Sequence, residues 1–248
     1  MTPEIIAHRG YSARAPENTV AALRLALDVG APALEWDLQA SADGVPMVVH
    51  DETLERTTDG LGRVDTYTQA ELSDLDAGSW FDPAFAGEPL PALSEVLDAV
   101  GARAHRLYPE IKVGASPKEV DRILREVENR ELLRKTVFIS MDWDALDRIQ
   151  AAAPGTSVAY IVEAEDRFEA AIDRARDRPH TLLDPDYRLV LADPDRTARA
   201  RSLGIEFAVW TVNDPEEAAR LARMGVSRFT TNEVERLLEW ASEWKTEG

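Results

Sequence analysis

The chain has 248 residues, 44% of them apolar, which is enough for a substantial core and argues against disorder. It contains no cysteine, so disulfides and thiolate metal or redox sites are excluded. Its net charge of −18 opposes binding to nucleic acid or an anionic membrane, and any small anionic substrate must find local positive charge in a bound cation or a few Arg and Lys residues.

The opening MTPEIIAHRG has neither a basic segment nor a long apolar one, and no run of ~18 apolar residues follows. The expectation is a cytoplasmic protein with no stable membrane insertion. A strand is predicted at residues 4–8. A helix follows from about Asn18, with Val20, Leu23, Ala26 and Leu27 at spacings of three and four, and it ends at Gly30. Residues 33–38 read as a strand, 93–100 as a helix and 106–112 as a strand. The next helix starts near Ser116-Pro117 and runs to about Leu133. Strand and helix then alternate at 136–140 and 142–152, and at 157–162 and 164–176. A short strand at 181–184 precedes a helix that begins near Asp193-Pro194 and ends before Gly204. Residues 206–212 are a predicted strand. The helix 214–224 carries Asp214 as N-cap and Pro215 in its first turn. The strand 226–231 and a helix capped by Asn232, with Val234, Leu237, Leu238 and Trp240 on one face, complete the pattern.

Eight strand–helix units in about 250 residues give the rhythm of a (β/α)8 TIM barrel over 1–248. A doubly wound open sheet is the competitor, but the count reaches eight and no Gly-rich dinucleotide loop occurs. Residues 51–91 break the rhythm. They are rich in Thr, Asp, Gly and aromatics and too long for an ordinary barrel loop, so they read as a small inserted subdomain after the second strand.

Barrel chemistry sits at the carboxyl ends of strands. There the sequence places His8 and Arg9, then Glu35-x-Asp37, then Glu110-x-Lys112. Side chains two apart on a strand share a face, so Glu35 and Asp37 point together, away from Leu34, Trp36 and Leu38. Three converging carboxylates would repel one another and resist ionisation when buried. A hard divalent cation resolves the conflict: Mg²⁺ or Ca²⁺, with Mn²⁺ also compatible. A lone E-x-D is more often a solvated strand end, but the neighbouring E-x-K and two nearby histidines reverse that preference. Of four histidines, His105 and His180 precede strands and read as surface or structural residues. His8 and His50 end apolar runs on the catalytic side. Two imidazoles beside a metal suit a phosphate ester, one deprotonating the nucleophile and the other protonating the leaving alkoxide. The cation, Arg9 and Lys112 would neutralise the phosphoryl oxygens.

These residues carry a resemblance. His8-Arg9-Gly10, Pro16-Glu17-Asn18-Thr19, Glu35-x-Asp37, Asp43-Gly44, His50-Asp51, Arg56-Thr57-Thr58, Gly60-x-Gly62, Leu75-Asp76-Ala77-Gly78, Trp80-Phe81, Glu110-Ile111-Lys112 and Trp210-Thr211-Val212-Asn213 occur in the order seen in the glycerophosphodiester phosphodiesterases. The chain resembles that family over nearly its whole length. The resemblance implies the (β/α)8 barrel, metal ligands Glu35, Asp37 and Glu110, and an acid–base pair His8 and His50. It also implies phosphate contacts from Arg9 and Lys112, with Trp210 and Phe81 beside the glycerol. The implied reaction releases an alcohol and sn-glycerol 3-phosphate from a small-molecule phosphodiester. Asp51 could orient His50 or serve a backbone turn, and the turn is the preferred reading; Glu17, Asn18 and Thr19 read as a helix start. Two departures stand out: Asn232 follows Thr231 where the family more often has Asp, and Met141 follows Ser140 where an aromatic is common. Asn232 is expected to cap the last helix with little effect on catalysis. Competing functions are the same chemistry on an acylated lysophospholipid and a catalytically silent sugar-phosphate or metal-binding module.

Overall fold

The computed structural model describes residues 2–244. Its elements in chain order are β1 (Glu4–Ala7), α1 (Val20–Asp28), β2 (Ala33–Ala40), β3 (Pro46–Val48), α2 (Gln69–Ser73), α3 (Leu93–Val100), β4 (Arg106–Ile111), α4 (Pro117–Glu128), β5 (Val137–Ser140), α5 (Trp143–Ala152), β6 (Ser157–Val162), α6 (Glu165–Ala175), β7 (Thr181–Pro185), α7 (Tyr187–Ala192), α8 (Pro194–Ser202), β8 (Ala208–Val209), α9 (Pro215–Arg223), β9 (Arg228–Thr231) and α10 (Val234–Glu243). Eight strands lie parallel in the order β7-β6-β5-β4-β2-β1-β9-β8. Single bridges Leu183–Phe207 and Asp186–Trp210 join β7 to the β8 segment and close the ring. The chain is a TIM barrel.

Alternation along each strand divides the apolar residues into two layers. Ile6, Ala33, Tyr108, Ile139, Ala159 and Leu182 fill the lumen. Ile5, Leu34, Trp36, Leu38, Phe138 and Tyr160 face the surrounding helices. Helix starts follow local chemistry: Ser116 caps α4 in a capping box, Asp142 caps α5, Asp193 caps α8 and Asp214 caps α9, with Pro in the first turn of α4, α8 and α9. The amino end of the lumen is closed by a balanced charge cluster. Glu4 receives the Tyr108 hydroxyl at 2.5 Å and pairs with Arg106 Nε at 3.2 Å, while Arg228 pairs with Glu206 at 2.6 Å.

Several boundaries differ from the predicted pattern. The helix expected to reach Leu133 ends at Glu128, after which Leu132 turns back onto Val127 through a backbone bond of 3.1 Å. The strand expected at 206–212 keeps only Ala208–Val209, because Trp210 bonds back to β7 and to the start of α7, itself unpredicted. Asn232 does not cap α10; Glu233 takes the cap position and no side-chain cap bond forms.

Residues 51–91 follow the β2–β3 hairpin and hold α2 and two short 3₁₀ turns. A separate apolar cluster of Met47, Val49, Leu54, Val64, Leu72 and Leu90 supports them. The segment is tied to the start of α1, where Glu88 accepts the backbone N–H of Ala21 at 2.9 Å and Arg56 donates two bonds to Glu17 at 2.8 and 2.9 Å.

Candidate active site

The register of β2 and β4 builds the centre. Asp37 pairs with Glu110 across the two strands, and Glu35 lies two residues earlier on the same face. One oxygen from each of Glu35, Asp37 and Glu110 lies within 4.8 Å of the others, and all three residues are buried. Lys112 bridges the pair, with Nζ 2.6 Å from Asp37 Oδ1 and 2.7 Å from Glu110 Oε1. Arg9 adds a second cation, its Nε 3.1 Å from Asp37 Oδ2 and its backbone N–H donating to Glu35 Oε2 at 2.8 Å.

The loop that aims Arg9 is bent in a costly way. Arg9 and Asn18 both occupy the left-handed region, at φ 56° and 61°, and the Asn18 N–H bonds to the Arg9 carbonyl oxygen at 3.0 Å. Gly10, at φ 81°, packs so closely on α1 that a Cβ would lie 2.6 Å from the Ala22 carbonyl carbon. The bend delivers Asn18 into the centre. Its side chain donates to Asp37 Oδ2 at 2.8 Å and accepts the Asp37 backbone N–H at 3.1 Å. Thr19 is the true cap of α1. Asn18 and Glu17 thus belong to the site's supporting layer, beyond the helix start read from the sequence. Glu17 ties Arg9 at 2.8 Å to Arg56.

The electrostatics follow the surplus of acid. Burial, then the charges of Asp37 and Glu110, push Glu35 well above the ordinary carboxylate range. Burial and the charge of Asp37 push Glu110 up to about 7. Burial opposes ionisation of Asp37 as well, but Lys112 and Arg9 outweigh it and hold this carboxylate low. Despite that ion pair, Asp37 Oδ1 receives no hydrogen bond of good geometry. Oxygen donors only, repelling and incompletely bonded, fit a hard divalent ion.

The histidines differ in their partners. His8 Nδ1 lies 2.6 Å from Asn232 Oδ1, which also accepts the Ser12 hydroxyl at 3.0 Å. With Asn232 Oδ1, an acceptor, turned to His8, Nδ1 is the donor nitrogen, which leaves the Nε2 lone pair free, 4.0 Å from Glu35. Burial and then the charge of Arg9 lower its pKa to about 4. His50 Nδ1 lies 2.6 Å from Asp51 Oδ1, and Asp51 is held in turn by Arg56. Burial, with Lys112 and Arg9, lowers the pKa of His50 too. Asp51 therefore orients His50, where a backbone turn was the preferred expectation, and Asn232 supports His8 where a helix cap was expected.

A cavity opens over these groups. His8, Arg9, Glu35, His50, Glu110 and Lys112 line one side; Ile139, Met141, Ile161 and Trp210 line the other, with Asp184 among them. Phe81 does not line it. Phe81 packs edge-on between Trp80 and Phe85 within the 51–91 segment, with ring centres 5.7 and 5.8 Å apart. His105 and His180 are exposed, away from the cavity. From Lys112 a polar groove runs between residues 112–115 and Arg63–Asp65 of the insertion.

The barrel mouth brings two histidines and an acidic cluster together over one cavity, and likeness to known proteins gives the class of enzyme. Residues 8–236 match the model of the glycerophosphoryl diester phosphodiesterase family. A glycerophosphodiester phosphodiesterase of Caldanaerobacter subterraneus is 30% identical, over 94% of this chain and 96% of its own length. One from Bacillus subtilis is 30% identical over 92% and 82%. Among solved structures, an Oleispira antarctica phosphodiesterase in complex with the product sn-glycerol-3-phosphate superposes with a TM-score of 0.89 at 28% identity, covering 98% of each chain. The chain belongs to the glycerophosphoryl diester phosphodiesterase family and is an enzyme of that family.

Proposed function

We propose that this enzyme cleaves glycerophosphodiesters to an alcohol and sn-glycerol 3-phosphate with a divalent ion held by Glu35, Asp37 and Glu110. The observation that carries the reading is the set of three buried carboxylate oxygens within 4.8 Å, beside two histidines in one cavity. Mg²⁺ or Ca²⁺ suits the oxygen set, and Mn²⁺ is compatible. When bound, such an ion supplies charge neutralisation at the phosphoryl oxygens.

The chain's own residues divide the remaining work. Neutral His8, its Nδ1–H turned to Asn232, presents Nε2 as the general base. His50, its Nδ1–H on the Asp51 carboxylate, acts as proton donor to the leaving alkoxide from Nε2 of its imidazolium form, which Asp51 and Asp37 favour against burial and which a bound phosphate would favour further. Arg9 and Lys112 bring two positive charges to the phosphate position. Trp210 and Met141 form the apolar wall for the ester carbons.

Deacylated substrates fit better than lysophospholipids. The groove leading from Lys112 is lined by Glu52, Arg63, Asp65 and Glu119, which do not match an acyl chain. Phosphorus NMR of purified protein with glycerophosphocholine tests the reading. Glycerol 3-phosphate should appear with Mg²⁺ or Ca²⁺ and stop appearing with EDTA. Turnover unaffected by chelator rejects the ion, and faster cleavage of an acylated substrate rejects the substrate class.

A further inference from the structure

Asp184 is a buried carboxyl that the chemistry above leaves unused. It is the penultimate residue of the all-buried strand β7 and is 3% exposed. It lines the cavity with His8, His50 and Trp210, yet its Oδ1 has no hydrogen-bond partner among the described residues. The one indole N–H nearby does not serve it, because Trp210 Nε1 donates to the Asp184 backbone oxygen at 2.9 Å. Among the described residues no Arg, Lys or His pairs with it, and it lies outside the three-carboxylate cluster. Burial, then the charge of Glu110, raises its pKa to about 8. A neutral carboxyl both donates and accepts, as an alcohol hydroxyl does.

Its position selects the ligand. Around the closed ring, β7 stands four strands from β2 in either direction. Asp184 therefore faces the charged arc across the cavity. A phosphoryl group held at that arc directs its ester carbons toward Asp184 and Trp210. An anion is disfavoured there, with Glu110 acting on the same space, whereas a hydroxyl completes the missing hydrogen bond.

We propose that Asp184 is a specificity-determining residue: its carboxyl hydrogen-bonds a hydroxyl on the carbon chain that carries the phosphodiester, so the site selects phosphodiesters of a polyhydroxy alcohol over those of a simple alkyl alcohol. The proposal rests on the phosphodiesterase reading and adds the group that recognises the alcohol end. The test compares kcat/KM for glycerophosphoethanolamine and propyl phosphoethanolamine, which differ in the two hydroxyls. A site built to bond a hydroxyl should favour the first by about 10²-fold or more. In Asp184→Leu the ratio should collapse to within about threefold, and in the isosteric Asp184→Asn it should stay above about tenfold. Asp184→Ala supplies the same ratio should the Leu variant not fold. An unchanged ratio in the Leu or Ala variant, with or without an equal fall in both rates, overturns the proposal. Calorimetric binding of glycerol 3-phosphate and propyl phosphate reads the subsite without turnover. A wild-type preference lost in Asp184→Ala keeps the subsite even where neither diester is cleaved, which would reject the hydrolytic reading alone. No preference rejects the subsite and leaves the hydrolytic reading standing.

Discussion

The two ends of the barrel both hold charge in or against the lumen, and they solve the problem differently. At the amino end, Glu4 and Glu206 meet Arg106 and Arg228, and the Tyr108 hydroxyl completes the network. Acid and base are matched there, so the cluster needs nothing from outside. At the carboxyl end, Glu35, Asp37, Glu110 and Asp184 lie in or beneath the cavity, where Arg9 and Lys112 are the arginine and lysine present among the described residues. The surplus shows as carboxyls that resist ionisation. Balanced, partly exposed charge supports the fold at one end, whereas the buried acidic surplus at the other suits a cationic ligand.

Breaking the unbalanced end should cost activity, and stability only where a counter-charge is lost. Glu110→Gln should lower kcat by on the order of 10³-fold or more and leave the Tm unchanged or raised, since it removes repulsion, whereas Asp37→Asn should cost as much activity but lower the Tm, because it strips Lys112 and Arg9 of their counter-charge. Near-normal turnover in either would end the ion assignment. Next in size, His8→Ala and His50→Ala should each cost about 10²- to 10⁴-fold in kcat with the fold intact by circular dichroism. Equal and small effects at both would remove the acid–base pair.

The balanced end should give the opposite result. Glu4→Ala strands Arg106 and the Tyr108 hydroxyl and should cost about 1–3 kcal/mol, read by urea unfolding, with kcat/KM within about twofold. A large activity loss there would erase the contrast.

The pH dependence of ion binding sharpens it further. A folded carboxyl with a raised pKa holds a proton that the unfolded chain has already lost. The ion-free protein therefore loses stability as pH rises from the ordinary glutamate range through about 7, the value of Glu110. Above that window Glu110 is ionised and the ion would bind better. Mg²⁺ or Ca²⁺ at about a hundred times Kd should raise Tm by roughly 5–10 °C at pH 8, and by clearly less at pH 5.5. A pH-independent shift would contradict the assigned protons. Smallest of all, Arg56→Ala, which loosens Asp51 and Glu17 from outside the cavity, should lower kcat by about tenfold or less; a loss as large as that of His50→Ala would move Arg56 into the reacting centre.

The barrel and the side chains that meet at its mouth were legible because they depend on local pattern. Period-2 alternation in residues 33–38 separates Glu35 and Asp37 from Trp36, and the same rule places Glu110 with Lys112. The supporting partners were not legible. Asn18 reaches Asp37 only through a left-handed bend, although Asn is one of the few residues that enters that region readily, a signal the helix-start reading passed over. Asn232 meets His8 across 224 positions, a pairing that only closure of β9 onto β1 creates. Asp184 belongs to no spaced motif, so nothing in TLLDP distinguishes it from a strand end. Phe81 was placed in the pocket from its neighbourhood in the motif, and the aromatic contacts of the insertion claim it instead.

Lys112 has a consequence beyond charge balance. Its ammonium is tethered to β4 and sits between Asp37 and Glu110, so an entering ion meets a rival whose local concentration never falls. That resident rival offsets the repulsion of the paired carboxylates, and on the proposed ion reading it would set a threshold below which free ions do not win. Occupancy then rises with ion supply over a range that the lysine, rather than the carboxylates alone, determines.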